Sequence, residues 1–245
     1  MTEAWTQAVR HQLDPGRLLP LGGPEDGTWI TEQAAVGTLG RAAAEIPGVL
    51  LESLRIGPAP LEPVSEPVVR PPVSALPPGP LRIEAAFTAP LGQLLPETAQ
   101  QLRSALLDAA AERLGLAVVT ADLRVTDLDE GPETGVRPVP ETAAARSSPP
   151  VTGTGSMRGS AGELAVVATA VPGVARLTAV LGSRPVKVED HDDPPGRRIE
   201  VHLAVAPGHH PVEVARAVRD AVTAAATTDT TGPVTAAVLI TETAA

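Results

Sequence analysis

The chain has no cysteine and no tyrosine. Without thiols there is no disulfide, no thiolate metal site and no cysteine nucleophile. Aromatic residues are 1% of the 245 positions, namely Trp5, Trp29 and Phe87, so a core has to be built from Ala, Val, Leu and Ile. Cations are also short: 19 Lys and Arg stand against 29 Asp and Glu, for a formal net charge of −10. That deficit weighs against nucleic-acid binding, which needs cations to neutralise phosphates, and against adhesion to anionic lipid. No apolar run approaches the ~20 residues of a membrane-spanning helix. The opening Met1-Thr2-Glu3-Ala4-Trp5 has no basic start followed by an apolar stretch. A cytoplasmic protein, with no direct membrane insertion and no nucleic-acid partner, is the expectation.

What the chain does have is a repeat. Pro47-Gly48-Val49 recurs as Pro172-Gly173-Val174, and Pro77-Pro78-Gly79 as Pro194-Pro195-Gly196. Arg82-Ile83-Glu84 recurs as Arg198-Ile199-Glu200, and Leu123-Arg124-Val125-Thr126-Asp127 as Val238-Leu239-Ile240-Thr241-Glu242. The offset drifts from 125 through 117 and 116 to 115 residues, the trace that small insertions and deletions leave in a duplicated unit.

Periodicity gives each unit an α-β-β-α-β order. In the first, Val36, Leu39, Ala43 and Ile46 form a helical stripe that Pro47-Gly48 stops. Val49–Ile56 is strand-like, Leu81, Ile83, Ala85 and Phe87 alternate with polar residues, 96–114 reads as a helix and 117–127 as a strand. Residues 57–80 hold nine of the 27 prolines and read as an extended loop, with a plain spacer the favoured role. In the second, Leu164, Val167, Ala168 and Val171 form the stripe. Val174–Leu181, Val186–Glu189, Ile199–Val205 and Thr235–Thr241 read as strands, Asp190–Gly196 as a turn, and Pro211 opens a helix. The expected fold class is α+β: two tandem α-β-β-α-β modules, each a small sheet with two helices on one face. The expected domains are an N-terminal helix and turn at 1–24, a first module at 25–128, a flexible linker at 129–160 and a second module at 161–245.

The second unit resembles the alkaline-shock-protein or envelope stress response family of Gram-positive bacteria, over roughly residues 160–243. The resemblance rests on Val171-Pro172-Gly173-Val174, Leu181-Gly182, Val186-Lys187-Val188, the strand Ile199–Val205, the Pro-Gly turn, the helix Val212–Ala225 and the strand Val234–Thr241. The first unit is the weaker match, its β-hairpin replaced by the Pro-rich loop. The chain looks like a divergent tandem actinobacterial member. The resemblance implies a K-homology-like module, an intracellular non-enzymatic role, self-association, and protein partners that include a small membrane-anchored protein. It therefore implies a scaffold or adaptor linked to envelope homeostasis, cytoplasmic or held at the inner face of the membrane through a partner.

The polar residues offer little chemistry. Glu189-Asp190-His191-Asp192-Asp193 with His202, His209 and His210 could form a metal site, and so a metal-binding or small-molecule enzyme is one alternative. Turn chemistry explains the Asp run more simply, and there is no ligand-spacing motif on a helix. Ser156 and Ser160 lie in the linker outside any nucleophile elbow. Gly153, Gly155 and Gly159 follow no strand, so a phosphate loop is not indicated. Nucleic-acid binding by K-homology-like modules is the second alternative, but no Gly-x-x-Gly loop with basic flanks joins two helices. No catalytic residue, metal ligand or cofactor is assigned. The candidate protein-contact residues are Arg198, Glu200 and His202, with His209 and His210 on the neighbouring loop, and Arg82 and Glu84 at the equivalent strand of the first unit.

Overall fold

The computed structural model describes residues 16–60, 67–72, 74–129, 160–179, 184–192, 195–227 and 232–243. The helix expected within 1–24, with Trp5, falls on residues 1–15, outside the described residues, as do Gly153, Gly155, Ser156, Gly159 and almost all of the 129–160 segment.

Both repeats fold as the patterning predicts, and the protein is of the α+β class. The first comprises α1 (Glu32–Ala44), β3 (Leu50–Pro58), β4 (Leu81–Pro90), α2 (Leu95–Asp108) and β5 (Val118–Asp129). Its sheet has the order β3-β4-β5, antiparallel then parallel. The second comprises α3 (Ser160–Thr169), β6 (Val174–Leu177), β7 (Val186–Asp192), β8 (Pro195–Val205), α4 (Pro211–Thr227) and β9 (Val234–Thr243). Here the antiparallel partner of β8 comes in two pieces, β7 along its first half and β6 along its end, and β9 runs parallel on the other side. The segment read as a strand to Leu181 pairs with β8 from Val174 to Leu177, Thr178 N–H still donates to the His202 carbonyl at 3.0 Å, and Leu181 lies outside the described residues. The expected Asp190–Gly196 turn is largely strand, since pairing persists to Asp192↔Pro195.

The duplication extends to individual hydrogen bonds. Thr126 is an extra residue in β5, skipped between the pairs Phe87↔Val125 and Thr88↔Asp127. Thr241 is skipped in the same way between Leu203↔Ile240 and Ala204↔Glu242. Each is a one-residue bulge, and each threonine hydroxyl donates across it, to the Phe87 carbonyl at 3.1 Å and to the Leu203 carbonyl at 3.3 Å. The stops of α1 and α3 also match: Gly48 and Gly173 both take positive φ, at 74° and 91°.

The N-terminal part of the chain departs from the expected plan. β1 (Leu18–Leu21) and β2 (Thr28–Thr31) form a hairpin, and β2 pairs in parallel with β9 of the second repeat. Residues from Thr28 onward, read as the start of the first module, therefore complete the second module's sheet, in the order β1-β2-β9-β8-β6 with β7 also on β8. All eight hairpin strand residues are buried, because both faces of this sheet are covered.

The inner face carries the main core. α1 packs on β3 of one sheet and on β9 and β2 of the other, so one core runs through both repeats, from Phe87 and Leu106 to Val218 and Ile240. Two-sided burial explains why the buried positions of α1 are Ala34, Ala35, Thr38, Leu39, Ala42 and Ala43, with Val36 only partly buried. Thr31 caps α1, its hydroxyl accepting from the Ala34 N–H at 3.3 Å.

The outer face of the larger sheet carries a second cluster of Leu18, Trp29, Val69, Ala237 and Leu239, with Ala75 packed against it. Val69 and Ala75 belong to the Pro-rich segment, which is thus a roof and not a plain spacer. Leu18 N–H donates to the Ser74 carbonyl at 3.2 Å, Leu76 N–H donates to the Leu18 carbonyl at 2.8 Å, and Arg198 reaches the Arg70 carbonyl at 2.9 Å. Replacing Arg198 with alanine is expected to loosen this roof without unfolding the sheet. Faster amide exchange at Leu76, with unchanged exchange in β8, would show it.

Candidate functional site

The residues singled out from sequence fall in three places. Arg82 and Glu84 form an ion pair with each other along one face of β4, the central strand of its sheet, and not across strands. Arg198, Glu200 and His202 lie on the outer face of β8, partly under the Pro-rich roof. His202 is buried, and its Nε2 lies 2.7 Å from Glu200 Oε1. That bond is the main reason why the Glu200 carboxyl is held below the usual range, against the opposing effect of burial. His209 and His210 stand apart from both, on the turn between β8 and α4.

Of the Asp/His run, Asp193 and the Asp192 side chain lie outside the described residues, and the carboxylates of Glu189 and Asp190 are taken up by ion pairs. Asp190 pairs with Arg197 at 2.7 Å and Glu189 with Lys187 at 2.5 Å, and each cation holds its partner carboxyl low. Among the described residues, no group of three His, Asp or Glu side chains converges as a metal site would require.

The structure does open a cleft of about 480 Å³ where the two repeats meet. One wall is α1, which contributes Thr38, Arg41 and Glu45. The second is the last turn of the helix after α2, where Ala109–Leu114 widens into a π-helical turn and places Glu112 and Arg113 at the rim. Such turns re-aim side chains and recur at functional sites. The third wall is the Val205–Pro211 turn with His209 and His210, and Thr243 closes the base.

The cleft lining carries two guanidinium groups, Arg41 and Arg113, and two carboxylates, Glu45 and Glu112. Arg113 clamps Glu45 in a two-point bond at 2.8 and 3.0 Å, which lowers the Glu45 pKa and raises that of Arg113. Arg41 has no carboxylate partner among the described residues. Its Nη2 donates to Thr38 Oγ1 at 3.0 Å, and that hydroxyl lies 2.8 Å from Thr243 Oγ1. Opposite stands the N-terminus of the 17-residue helix α4, whose partial positive charge favours anions. His210 Nδ1 is buried there and has no hydrogen-bond partner among the described residues.

Two glycines in the left-handed region seat the histidine pair. A side chain on Gly173 would meet the His209 ring at 2.9 Å and Val214 at 2.6 Å. One on Gly115, the C-cap of the π-helical turn, would meet His210 at 2.8 Å and Val212 at 3.0 Å. Gly115→Ala combines that clash with a strained φ of 78°, and should cost about 1–3 kcal/mol in thermal unfolding by forcing the repeats apart at the cleft. A ΔΔG near zero would mean that this contact is soft.

Sequence reasoning found His209 and His210 but missed Arg41, Thr38, Glu112 and Arg113. An isolated Arg on a helix reads as a solvated charge. Only the packing of α1 against both repeats brings it opposite α4.

The fold and site define a two-module α+β protein whose repeats share one core and frame a mixed-charge cleft. Comparison with protein-family models, curated proteins and solved structures finds no match to this chain. Among the described residues, no helix is long and apolar enough to cross a membrane.

Proposed function

We propose that the protein works by binding and not by catalysis, as a cytoplasmic scaffold or adaptor linked to cell-envelope homeostasis, and that a protein partner presents an acidic segment to the inter-repeat cleft. The observation that carries this reading is Arg41, a guanidinium with no carboxylate partner among the described residues, facing the N-terminus of α4 across a cleft of about 480 Å³. An acidic side chain or a chain-terminal carboxylate would supply the missing charge, meet the Thr38 and Thr243 hydroxyls and lie in the field of α4. The envelope connection comes from the resemblance of the second repeat to the envelope stress response family, from whose usual single module this chain departs by carrying two in tandem.

The test is capture from the native host with tagged wild type and Arg41→Glu, from membranes solubilised in detergent and from the soluble fraction. The expected result is a partner lost by at least about tenfold in the variant, since Arg41→Glu sets like charge against the acidic segment. Recovery of a small membrane protein from the solubilised sample alone would support the envelope role. Equal capture by both proteins would remove the cleft from the account.

A further inference from the structure

The two repeats treat one equivalent strand edge differently. In the second, the side of β9 facing away from β8 is occupied by β2, which pairs with Val238, Leu239 and Ile240. The equivalent positions in the first are Leu123, Arg124 and Val125, matched by the shared bulge threonines. There β5 is the last strand of its sheet, and among the described residues no strand pairs with its outer side. The edge is long, 12 residues, and it exposes Val119, Val125 and Leu128. Unpaired edges of this length template pairing with another chain unless something blocks them.

We infer that β5 pairs antiparallel with β5 of a second copy of this chain, about a twofold axis through Leu123, and joins the two three-stranded sheets into one of six strands. The sequence of the edge selects this occupant and this register. A twofold interface must be self-complementary. With Leu123 opposite Leu123, Ala121 faces Val125, and Asp122 faces Arg124 twice, once on each side of the axis. Faces are preserved as well. Asp122 and Arg124 pair within their own sheet with Glu84 and Ala86, while Ala121, Leu123 and Val125 pair with Ile83, Ala85 and Phe87. Sliding by one pair in either direction would set Asp122 against Asp122 or Arg124 against Arg124, and like charges directly opposite destabilise a sheet.

Bulges frame the paired run. Val119 and Thr126 are the two extra residues of β5 in its ladder with β4, and the regular stretch lies between them. They kink the edge outside the self-complementary segment, which limits open-ended strand addition. In the single copy Arg103 Nε holds the Ala121 carbonyl at 3.2 Å, a side-chain cover that pairing would displace. The inference is independent of the cleft, which lies at the other boundary of the first repeat.

Sedimentation velocity over a concentration series, on the full chain, tests it with wild type, Asp122→Arg, Arg124→Asp and the double exchange. Both positions are exposed, so the variants should keep the fold, and circular dichroism checks this. The expected result is a wild-type dimer, weakened at least about tenfold by either single change because two opposed pairs become like-charged, and restored by the double exchange. Amide exchange should show Leu123 gaining protection as concentration rises. A wild-type monomer up to hundreds of micromolar, a dimer indifferent to the single changes, or failure of the double exchange to restore it would each overturn the inference. None of these outcomes would alter the expected loss of capture in Arg41→Glu.

Discussion

Trp29→Ala is expected to cost about 3–5 kcal/mol, the range for deleting a large aromatic from a closed core. Trp29 is 2% exposed and sits in β2, opposite Pro20 on one side and Leu239 on the other. It fills the space between the larger sheet and the Pro-rich roof formed by Val69 and Ala75. In a chain with three aromatic residues nothing nearby can expand into that space. A domain of ordinary stability holds only about 5–15 kcal/mol in reserve, so the loss should be conspicuous in urea unfolding. Among the described residues, the buried indole N–H has no hydrogen-bond partner. Its removal therefore costs no hydrogen bond, and Trp29→Phe should be far milder than Trp29→Ala. If the two substitutions were equally damaging, the indole N–H would be bonded after all and the packing account of Trp29 would fail.

The second large effect concerns Asp26, in the turn of the β1–β2 hairpin. Its carboxylate is buried and accepts from Arg216 Nε and Nη2 on α4 at 2.8 and 2.7 Å and from the Gly23 N–H at 2.7 Å. The Arg216 bond is the largest cause of a lowered pKa, opposed by burial and aided by the Gly23 bond. This clamp fastens the hairpin to the second repeat. Asp26→Ala should cost about 2–3 kcal/mol at neutral pH, less than a fully buried pair because Arg216 is half-exposed.

The pH dependence has a definite sign. A carboxyl whose pKa is lowered on folding contributes its full stabilisation above the unfolded value, about 3.9, and loses it as pH falls through the lower folded value. Wild type and Asp26→Asn should therefore differ most near neutral pH and converge in acid, once pH falls below the lowered folded value. Chemical denaturation at a series of pH values would show this, and a constant difference would mean that Asp26 acts through shape alone.

Much of the fold could be read from local pattern. The Pro-Gly stops at 47–48 and 172–173, the alternation Ile199–Val205 and the helix opened by Pro211 are determined by near neighbours, and each element appears where periodicity predicts it. The repeated bulge threonines show that the duplication signal was structural and not a coincidence of composition. What local pattern did not reveal depends on distant partners. Leu18–Leu21 and Thr28–Thr31 are buried on both faces, so they lack the alternation that marks a half-buried strand, and the partner of β2 is about 210 residues away. The Pro-rich segment cannot form a central strand, yet proline does not prevent Val69 and Ala75 from packing on one. The cleft shares this limit: His209 and His210 stood out by type, but Arg41 becomes part of a site only through α1 being held between two sheets.

The most direct test of the binding account places a photoreactive amino acid at Glu112, exposed at the rim of the cleft, and separately at Ser53, exposed on β3, outside the cleft lining. Both proteins are irradiated in the native host. The account predicts a discrete adduct from position 112 that disappears when Arg41→Glu is added, and none of that mass from position 53. The same adducts from both positions, or an adduct at 112 that survives Arg41→Glu, would contradict it.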